Sequence, residues 1–155
     1  MINSDIIKHI GEFNIKVIQN GEVVEEIDFT NLITNAYLDE LAKVVQGQTT
    51  DLEIRYLGIG NDNTTPTVTD TTLGNELFRK QVTSQDKTGT GEVTTIFVVI
   101  DSEAVFEWQE IGVFAGSTAT ASADTGVLIS RVLYNRDKTN LEELQVTRKE
   151  LYRRA

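Results

Sequence analysis

The sequence of 155 residues contains no cysteine, a single proline and a single histidine. Without cysteine the chain has no disulfide bridges, no thiolate zinc sites and no cysteine nucleophile, and this is consistent with synthesis in a reducing cytoplasm. Histidine is the side chain most used for proton transfer near neutral pH. Its single copy, His9, is predicted to lie on the surface, because a metal site needs several converging ligands. We expect no cofactor.

Long apolar runs and an excess of basic residues are also missing. No stretch of about 18 apolar residues occurs, so no membrane span is predicted. The N-terminal stretch MINSDIIKHIGEF lacks the basic region and apolar core of a secretory signal. The formal net charge is −10 and is spread along the chain. Since nucleic acids are bound by neutralising their phosphates with Lys and Arg, this charge argues against a DNA or RNA partner.

Basic residues cluster only near the C-terminal end of the sequence. The cluster comprises Arg148, Lys149, Arg153 and Arg154. The simplest interpretation is a solvated end of the chain. The alternatives are a phosphate-binding patch and a contact with an acidic surface on a neighbouring copy.

The pattern that dominates the sequence is that of β-strands. Apolar and polar residues alternate on both sides of Asn20-Gly21, which predicts a hairpin with a type I′ turn, since that turn needs positive φ at both central residues. Residues 94–100 predict a strand that is buried on both faces or lies in a subunit interface. Residues 106–114 predict a strand with a bulge at Gly112, and residues 127–134 predict another strand.

One helix interrupts this pattern and is predicted over residues 35–46. It is capped by Thr34 or Asn35 and ends at Gly47. Its apolar stripe, which should pack over a sheet, consists of Leu38, Leu41, Ala42 and Val45. Residues 140–152 fit a helix by their capping-box pattern and a strand by their Val-Thr content.

Length and element order predict a mainly β protein with a single domain over residues 1–155. About seven strands with turn signals between them are typical of an antiparallel β-sandwich, here jelly-roll-like, with the helix laid across an end or a face. Residues 1–11 are predicted to form a flexible arm. Core anchors are the expected role of the isolated aromatics, with stacking on sugars as the alternative; these residues are Tyr37, Tyr56, Trp108 and Tyr134.

The segment 57–84 resembles an active-site loop in its glycine-rich start and polar composition, but it lacks the residues that such a loop needs. Gly58 and Gly60 are predicted to let a strand end turn sharply into a loop rich in Thr and Asp. These glycines have neither Lys nor Ser/Thr at P-loop spacing and open no helix. The loop is therefore better suited to contact than to catalysis.

Side chains in and after this loop have competing interpretations. Asp62, Asn63 and Asp70 carry oxygens that calcium binds, but their spacing does not match a calcium loop, and Asx-turns are the simpler use. The predicted anchors of the returning chain are Leu73, Leu77 and Phe78.

Three acidic residues are the remaining candidates for catalysis. Glu103, Glu107 and Glu110 include the carboxylates that a glycosidase pair would need. Strand alternation places Glu107 and Glu110 on opposite faces, so they are not predicted to form a pair. The sequence therefore predicts a protein without enzymatic activity.

Several short motifs follow one another in a definite order from Asn31 onward. They are Gly58-Ile59-Gly60 through Pro66 to Asp70-Thr71-Thr72-Leu73, Glu76 with Arg79-Lys80, Val82-Thr83-Ser84, Glu110-Ile111-Gly112-Val113-Phe114, and Gly126-Val127-Leu128 with Arg131. This ordered set resembles a family of small bacteriophage tail and virion structural proteins. The last segment of that family is an alternating strand, which favours a strand over residues 144–152.

The resemblance implies a virion building block that is made in the host cytoplasm. It would be a tail, baseplate, neck (collar) or fibre-attachment subunit that forms homo-oligomers and contacts other phage virion proteins. The alternatives are a receptor-binding tail module that recognises a cell-surface glycan and a capsid decoration protein. The expected subunit-contact loop comprises Asn61, Asp62, Asn63, Thr64, Thr65, Pro66, Asp70, Thr72, Leu73, Arg79 and Lys80. A second expected contact is the basic cluster at Arg148, Lys149, Arg153 and Arg154.

Overall fold

A computed structural model of the chain describes residues 6–48 and 51–155. In these residues the chain forms nine β-strands and one α-helix. The helix is α1 (Asn35–Gln46), and the strands are β1 (Ile7–Gln19), β2 (Glu22–Thr30), β3 (Ile54–Gly60), β4 (Glu76–Gln81), β5 (Ser84–Gly89), β6 (Glu92–Val99), β7 (Glu107–Ala115), β8 (Val127–Asp137) and β9 (Glu143–Arg154). The predicted mainly β structure is confirmed.

The strands form two sheets that pack face to face as an antiparallel β-sandwich. The first sheet has five strands in the order β2-β1-β9-β6-β5, and the second has four in the order β4-β3-β7-β8. Apolar side chains from both inner faces fill the space between the sheets, and their burial is the main stabilising contribution. The fully buried members of this core include Ile15, Leu57, Ile59, Phe97, Trp108, Ile111, Val113, Leu144 and Val146.

The first hairpin has the predicted turn. Asn20 and Gly21 have φ of 51° and 77°, the positive values that a type I′ turn needs. The pairing of β1 with β2 steps from Val17–Glu25 to Ile18–Val23, so Val24 forms a bulge on β2. β1 begins at Ile7 and pairs with β9, so residues 7–11 of the predicted arm belong to the sheet, whereas residues 1–5 lie outside the described residues.

Helix α1 has the predicted bounds, but it buries a different face. The Thr34 side chain caps it by accepting the N–H of Tyr37, and Gly47 ends it with φ of 83°. Tyr37 is the buried residue of the helix, and Leu41 of the predicted stripe packs against the core as expected. Leu38 and Val45 of that stripe are instead 47% and 85% exposed, and Ala42 is exposed as well.

The rotation of the helix is set by contacts that precede it. The Thr34 N–H donates to the carbonyl of Ile129 at 2.9 Å and its hydroxyl to that of Leu128 at 2.5 Å. These bonds to β8 aim Tyr37 at β9, where its hydroxyl lies 2.5 Å from that of Tyr152. The helix has twelve residues, and the described residues include no helix long and apolar enough to cross a membrane.

Three further strand predictions have definite outcomes. Residues 143–154 form β9, so the C-terminal segment is a strand and not a helix. In β6, Thr95, Phe97 and Val99 are buried while the alternate residues are partly exposed, so one face of that strand is buried in the single chain. The pairing of β7 with β8 has two bulges: Tyr134 and Asn135 of β8 lie opposite Gln109 alone, and Ile129 of β8 is the extra residue beside Phe114. Neither bulge lies at Gly112.

The core predicts a large stability cost for one truncation. Trp108→Ala removes a side chain with no exposed surface, so we expect the free energy of unfolding to fall by about 3–5 kcal/mol. Val45→Ala on the exposed face of α1 is the control and should change it by less than about 0.5 kcal/mol. Urea unfolding followed by far-UV circular dichroism measures both. Similar losses in the two variants would contradict this core.

Candidate functional site

The outer face of the second sheet is covered by two loops. Residues 61–75, which join β3 to β4, form the first loop, and residues 116–126, which join β7 to β8, form the second. Gly58, Gly60 and Gly112 lie within the strands beneath these loops. A Cβ on Gly112 would lie 2.6 Å from Leu73, and one on Gly58 would lie 2.7 Å from Phe114. The missing side chains of these glycines therefore leave space for the loops that cover the sheet. Gly58 and Gly60 lie within β3, so the prediction that they form a sharp turn is wrong.

A fully buried carboxylate, Glu110 on β7, holds loop 61–75 in place. One of its oxygens accepts the N–H of Asn75 at 2.7 Å and that of Asp62 at 3.3 Å. The other accepts the N–H of Gly74 at 2.9 Å and the Nε–H of Arg131 at 2.5 Å. Both oxygens are thus saturated with structural hydrogen bonds, as a buried charge requires.

The partner of Glu110, Arg131 on β8, reaches the same loop from below. Its side chain is almost fully buried, and its terminal nitrogens lie 3.2 Å from Asp62 Oδ1, 3.4 Å from Asp70 Oδ2 and 3.3 Å from Thr64 Oγ1. One guanidinium therefore bridges the β7 carboxylate and two separate parts of the loop, its start at Asp62 and Thr64 and its interior at Asp70. The Glu110–Arg131 pair and its bonds to the loop are called the central clamp below.

Asx-type hydrogen bonds organise the loop between these anchor points. The Thr64 hydroxyl and N–H both donate to Asp62, and these bonds hold the pKa of the Asp62 carboxyl below its usual range. The Thr67 N–H donates to Asp70 at 3.0 Å. This is the simpler of the two predicted uses of these carboxylates. The described residues contain no group of three or more His, Asp or Glu side chains arranged to hold a metal ion.

A second buried ion pair holds loop 116–126. The guanidinium of Arg79 binds Glu76 through two nitrogens, at 2.6 and 2.8 Å. Its remaining nitrogen donates to the carbonyls of Thr120 and Thr125. The guanidinium carbon of Arg79 lies 4.1 Å from the ring centre of Phe114. A desolvated pair with this bidentate geometry is rigid and specific.

The structure sorts the predicted contact residues into exposed and internal ones. Arg79 is buried, so the prediction that it contacts another subunit is wrong for its side chain, and Lys80 binds Glu103 at 2.8 Å. Leu73 is a buried anchor as predicted, Phe78 is partly buried against the core, and Leu77 is exposed. The exposed members are Asn61, Asn63, Thr64, Thr65 and Thr72, while Asp62, Pro66 and Asp70 are partly exposed.

The basic cluster at the C-terminal end does not form one surface. Arg148 is fully buried, so it is not part of a solvated end or a contact patch. Its guanidinium binds Glu150 at 2.5 Å and Asn31 at 2.9 Å. The side chain of Lys149 is partly exposed and lies 3.7 Å from Glu92. Arg153 and Arg154 are exposed.

His9 lies in this buried cluster and not on the surface as predicted. Its side chain is 7% exposed, donates to Glu150 and stacks on the ring of Tyr152. Burial by itself raises the pKa of Glu150, but the charge of Arg148 and the hydrogen bonds from His9 and Arg148 outweigh burial, so that pKa is lowered. The cluster joins β1, β9 and the start of α1.

The three candidate catalytic acids have separate roles. Glu103 pairs with Lys80, Glu107 is exposed and Glu110 is fully buried in the central clamp. The bulge at Gln109 interrupts the alternation that was expected to separate Glu107 from Glu110, because Trp108 and Ile111 both lie in the core. Trp108, Tyr37 and Tyr134 are buried as predicted, and Tyr56 is partly buried.

Two concave regions occur on the described surface. One, of about 380 Å³, lies beside loop 61–75 and is lined mainly by Thr64, Thr69, Thr71, Thr72 and Arg131. The other, of about 750 Å³, lies over β1 and β2 and is lined by acidic and basic side chains, including Glu12, Lys16, Glu26, Asp28 and Lys149.

Sequence reasoning missed the roles of Glu76, Glu110 and Arg131. A signal was present, since Arg131 stands in the mainly apolar run VLISRVLY and Glu110 directly precedes the apolar run IGVFA of β7. Opposite charges in two buried strands need each other to offset desolvation. That reasoning identifies the pair, but the loop it holds is visible only in the fold.

The central clamp predicts that Glu110→Gln is strongly destabilising. The change leaves Arg131 buried without its partner, so we expect a loss of about 3–5 kcal/mol in the free energy of unfolding. Amide hydrogen exchange at Gly74 and Asn75 should also speed up. Glu107→Gln, on an exposed site of the same strand, is the control and should change neither measurement. Unchanged exchange in Glu110→Gln would rule out the clamp.

The lowered pKa of Glu150 predicts a loss of stability in acid. A carboxyl with a folded pKa below its ordinary value of 4.5 stabilises the protein above that pH, and the contribution disappears as the pH falls through the folded pKa. Glu150→Gln should therefore lose less unfolding free energy than the wild type between about pH 6 and about pH 3. Glu22→Gln on the exposed strand β2 should keep the wild-type slope. Parallel slopes for all three proteins would contradict the prediction.

Comparison with known proteins leaves function to be inferred from these contacts. Neither a protein-family model, nor a curated protein, nor a solved structure matches this chain.

Proposed function

We propose that this protein is a non-enzymatic structural component of a bacteriophage virion, located in the tail, baseplate or neck or attached to a fibre. The observation that carries the proposal is the convergence of the motifs on which the family resemblance depends. Gly60 and Asp70 of the first motif, Glu110 of a second and Arg131 of a third all lie at the central clamp. We expect proteins that share an architecture to share the residues that build one structural unit, and these motifs supply such a set.

The chemistry of the site also supports a contact role. The buried acids Glu110 and Glu76 use their oxygens to hold loops through backbone N–H groups and arginine, which leaves them poorly placed to exchange protons with a substrate. Loop 61–75 presents hydroxyl and amide groups on its outer side while its backbone is fixed from within. A surface ordered before it binds loses little conformational entropy on association.

The role of the loop is tested by blocking its outer side without touching the clamp. Asn63→Arg with Thr65→Arg changes two exposed residues. We expect this variant to fold normally but to be incorporated into particles at least about tenfold less, which corresponds to about 1.4 kcal/mol of contact free energy. Asn135→Arg with Asn140→Arg makes the same charge change at other exposed positions and should be incorporated normally.

Particle composition decides the location of the protein. Mass spectrometry of purified particles, separated into heads and tails, should find the wild-type chain in the tail fraction. Its presence in the head fraction would instead favour a capsid decoration protein, and its absence from both would overturn the structural role. Normal incorporation of the loop variant would overturn the contact role of loop 61–75.

Glycan recognition by a tail module is the second candidate function. The concave region beside loop 61–75 favours it, because the threonine hydroxyls that line this region offer several hydrogen-bond partners for a sugar. Trp108 is buried and does not stack on a ligand. Saturable saccharide binding by the purified protein that is lost in the loop variant would support this function, and a glycan array without any binding would remove it.

A further inference from the structure

One of the two edge strands of the first sheet, β2, is acidic. β2 stands at the end of the strand order and pairs only with β1. All of its residues except Phe29 are exposed, and Val23, Val24 and Ile27 each expose about half of the side chain. The same strand carries four carboxylates, so we call it the acidic edge; they are Glu22, Glu25, Glu26 and Asp28.

The acidic edge is unusual for an unpaired strand. Exposed edges with apolar side chains are sites of pairing with another chain unless the sequence blocks them. Here the blocking element is negative charge together with the bulge at Val24. Two acidic edges cannot pair favourably with each other, because like charges would lie opposite one another. A suitable partner surface is therefore basic and carries apolar side chains.

The opposite end of the β1–β9 ribbon has that composition. Lys8 is paired with Arg153 and Ile7 with Arg154, so three basic residues meet at one end. Ile6 and Ile7 beside them are 61% and 75% exposed. Among the described residues, Lys8, Arg153 and Arg154 have no ion-pair partner within salt-bridge distance. We call this surface the basic end; it comprises Ile6, Ile7, Lys8, Arg153 and Arg154.

One copy cannot bring its own two surfaces together. The carboxylate of the acidic edge nearest to Lys8 is that of Asp28, which lies opposite Asn14, six residues along β1. Six residues span roughly 20 Å at about 3.3 Å per residue, which is more than twice the screening length of about 8 Å at physiological salt. The two surfaces are complementary in charge and both carry branched apolar side chains, so the partner that fits each of them is a second copy.

We propose that copies of this protein associate head to tail, with the basic end of one copy against the acidic edge of the next. The isoleucines of one copy then lie against Val23, Val24 and Ile27 of the other, and its arginines lie beside the carboxylates. Contacts between two different surfaces repeat from copy to copy, so they build a ring where the rotation closes and a filament where it does not. The inference deepens the proposed function, on which it rests, by naming a second copy as one of the contacts of this subunit.

A charge exchange between the two surfaces tests the proposal. The first variant, Lys8→Glu with Arg153→Glu, makes the basic end acidic. The second, Glu22→Lys with Asp28→Lys, reduces the charge of the acidic edge and leaves Glu25 and Glu26 in place, because Glu25 binds Arg136 and Glu26 is opposite Lys16. The control variant is Asp86→Lys with Glu53→Lys. It changes the net charge by the same amount as the second variant, but at exposed sites outside both surfaces.

Sedimentation velocity of each purified protein over a range of concentrations measures the association. We expect the wild type and the control to self-associate, more weakly at high salt, and each variant to associate at least about tenfold more weakly. An equimolar mixture of the two variants should recover association as one-to-one pairs, because the first variant keeps an unaltered acidic edge and the second keeps an unaltered basic end. Circular dichroism checks that the variants are folded.

Two results would overturn the inference: a wild type that stays monomeric at the highest concentration reached, and variants that associate like the control. Failure of the proposed function is a separate result. A self-associating protein that is absent from purified particles would retain the head-to-tail contact and remove the virion role. A monomeric protein found in particles would remove the head-to-tail contact and retain the virion role.

Discussion

The central clamp of Glu110 and Arg131 is the interaction on which the covered half of the molecule depends. Removing two charges from water costs several kcal/mol per ion, and the attraction between them offsets this only when the remaining hydrogen-bond positions are filled. Glu110 fills them with three backbone N–H groups of loop 61–75, and Arg131 with Asp62, Asp70 and Thr64 of the same loop. Clamp and loop therefore stabilise each other. Without the loop, Glu110 and Arg131 would lose most of their hydrogen-bond partners. Without the two charges, the backbone of the loop would lose the hydrogen bonds that hold it in place.

The outer faces of the two sheets differ in how they are covered. The second sheet carries glycines on its outer face, and the space they leave is filled by Leu73, Phe114 and the two ion pairs beneath the loops. The first sheet keeps a polar outer face in which acids, lysines and threonines remain partly exposed. One side of the sandwich thus presents ordered loops, and the other presents strand edges and charged ends. In the proposed virion subunit, these two sides would serve as independent contact surfaces for different neighbours.

Charge is distributed according to the same division. Inside the structure, Arg79, Arg131 and Arg148 each have a buried carboxylate partner. The excess of acid lies outside, and β2 holds a concentrated part of it. Lys8, Arg153 and Arg154 are basic residues placed at the opposite end of β1 and β9. A protein with a net charge of −10 repels its own copies on average. In the proposed head-to-tail association, the local basic end is the feature that would allow specific contacts in spite of that repulsion.

The sequence by itself determined the features that depend on neighbouring residues. The Asn20-Gly21 turn, the bounds of α1 with its Thr34 cap and the β-sandwich class follow from backbone preferences and from alternation, which are local. Only the tertiary structure decided which face of α1 is buried, that Arg148 lies inside, and that Glu110 is an anchor. Each of these rests on partners far along the chain: Thr34 binds a carbonyl 94 residues away, Arg148 an amide 117 residues away, and Glu110 a backbone N–H 48 residues away. No local pattern encodes such distances, because the free energy of burying a charge depends on what the fold brings to it.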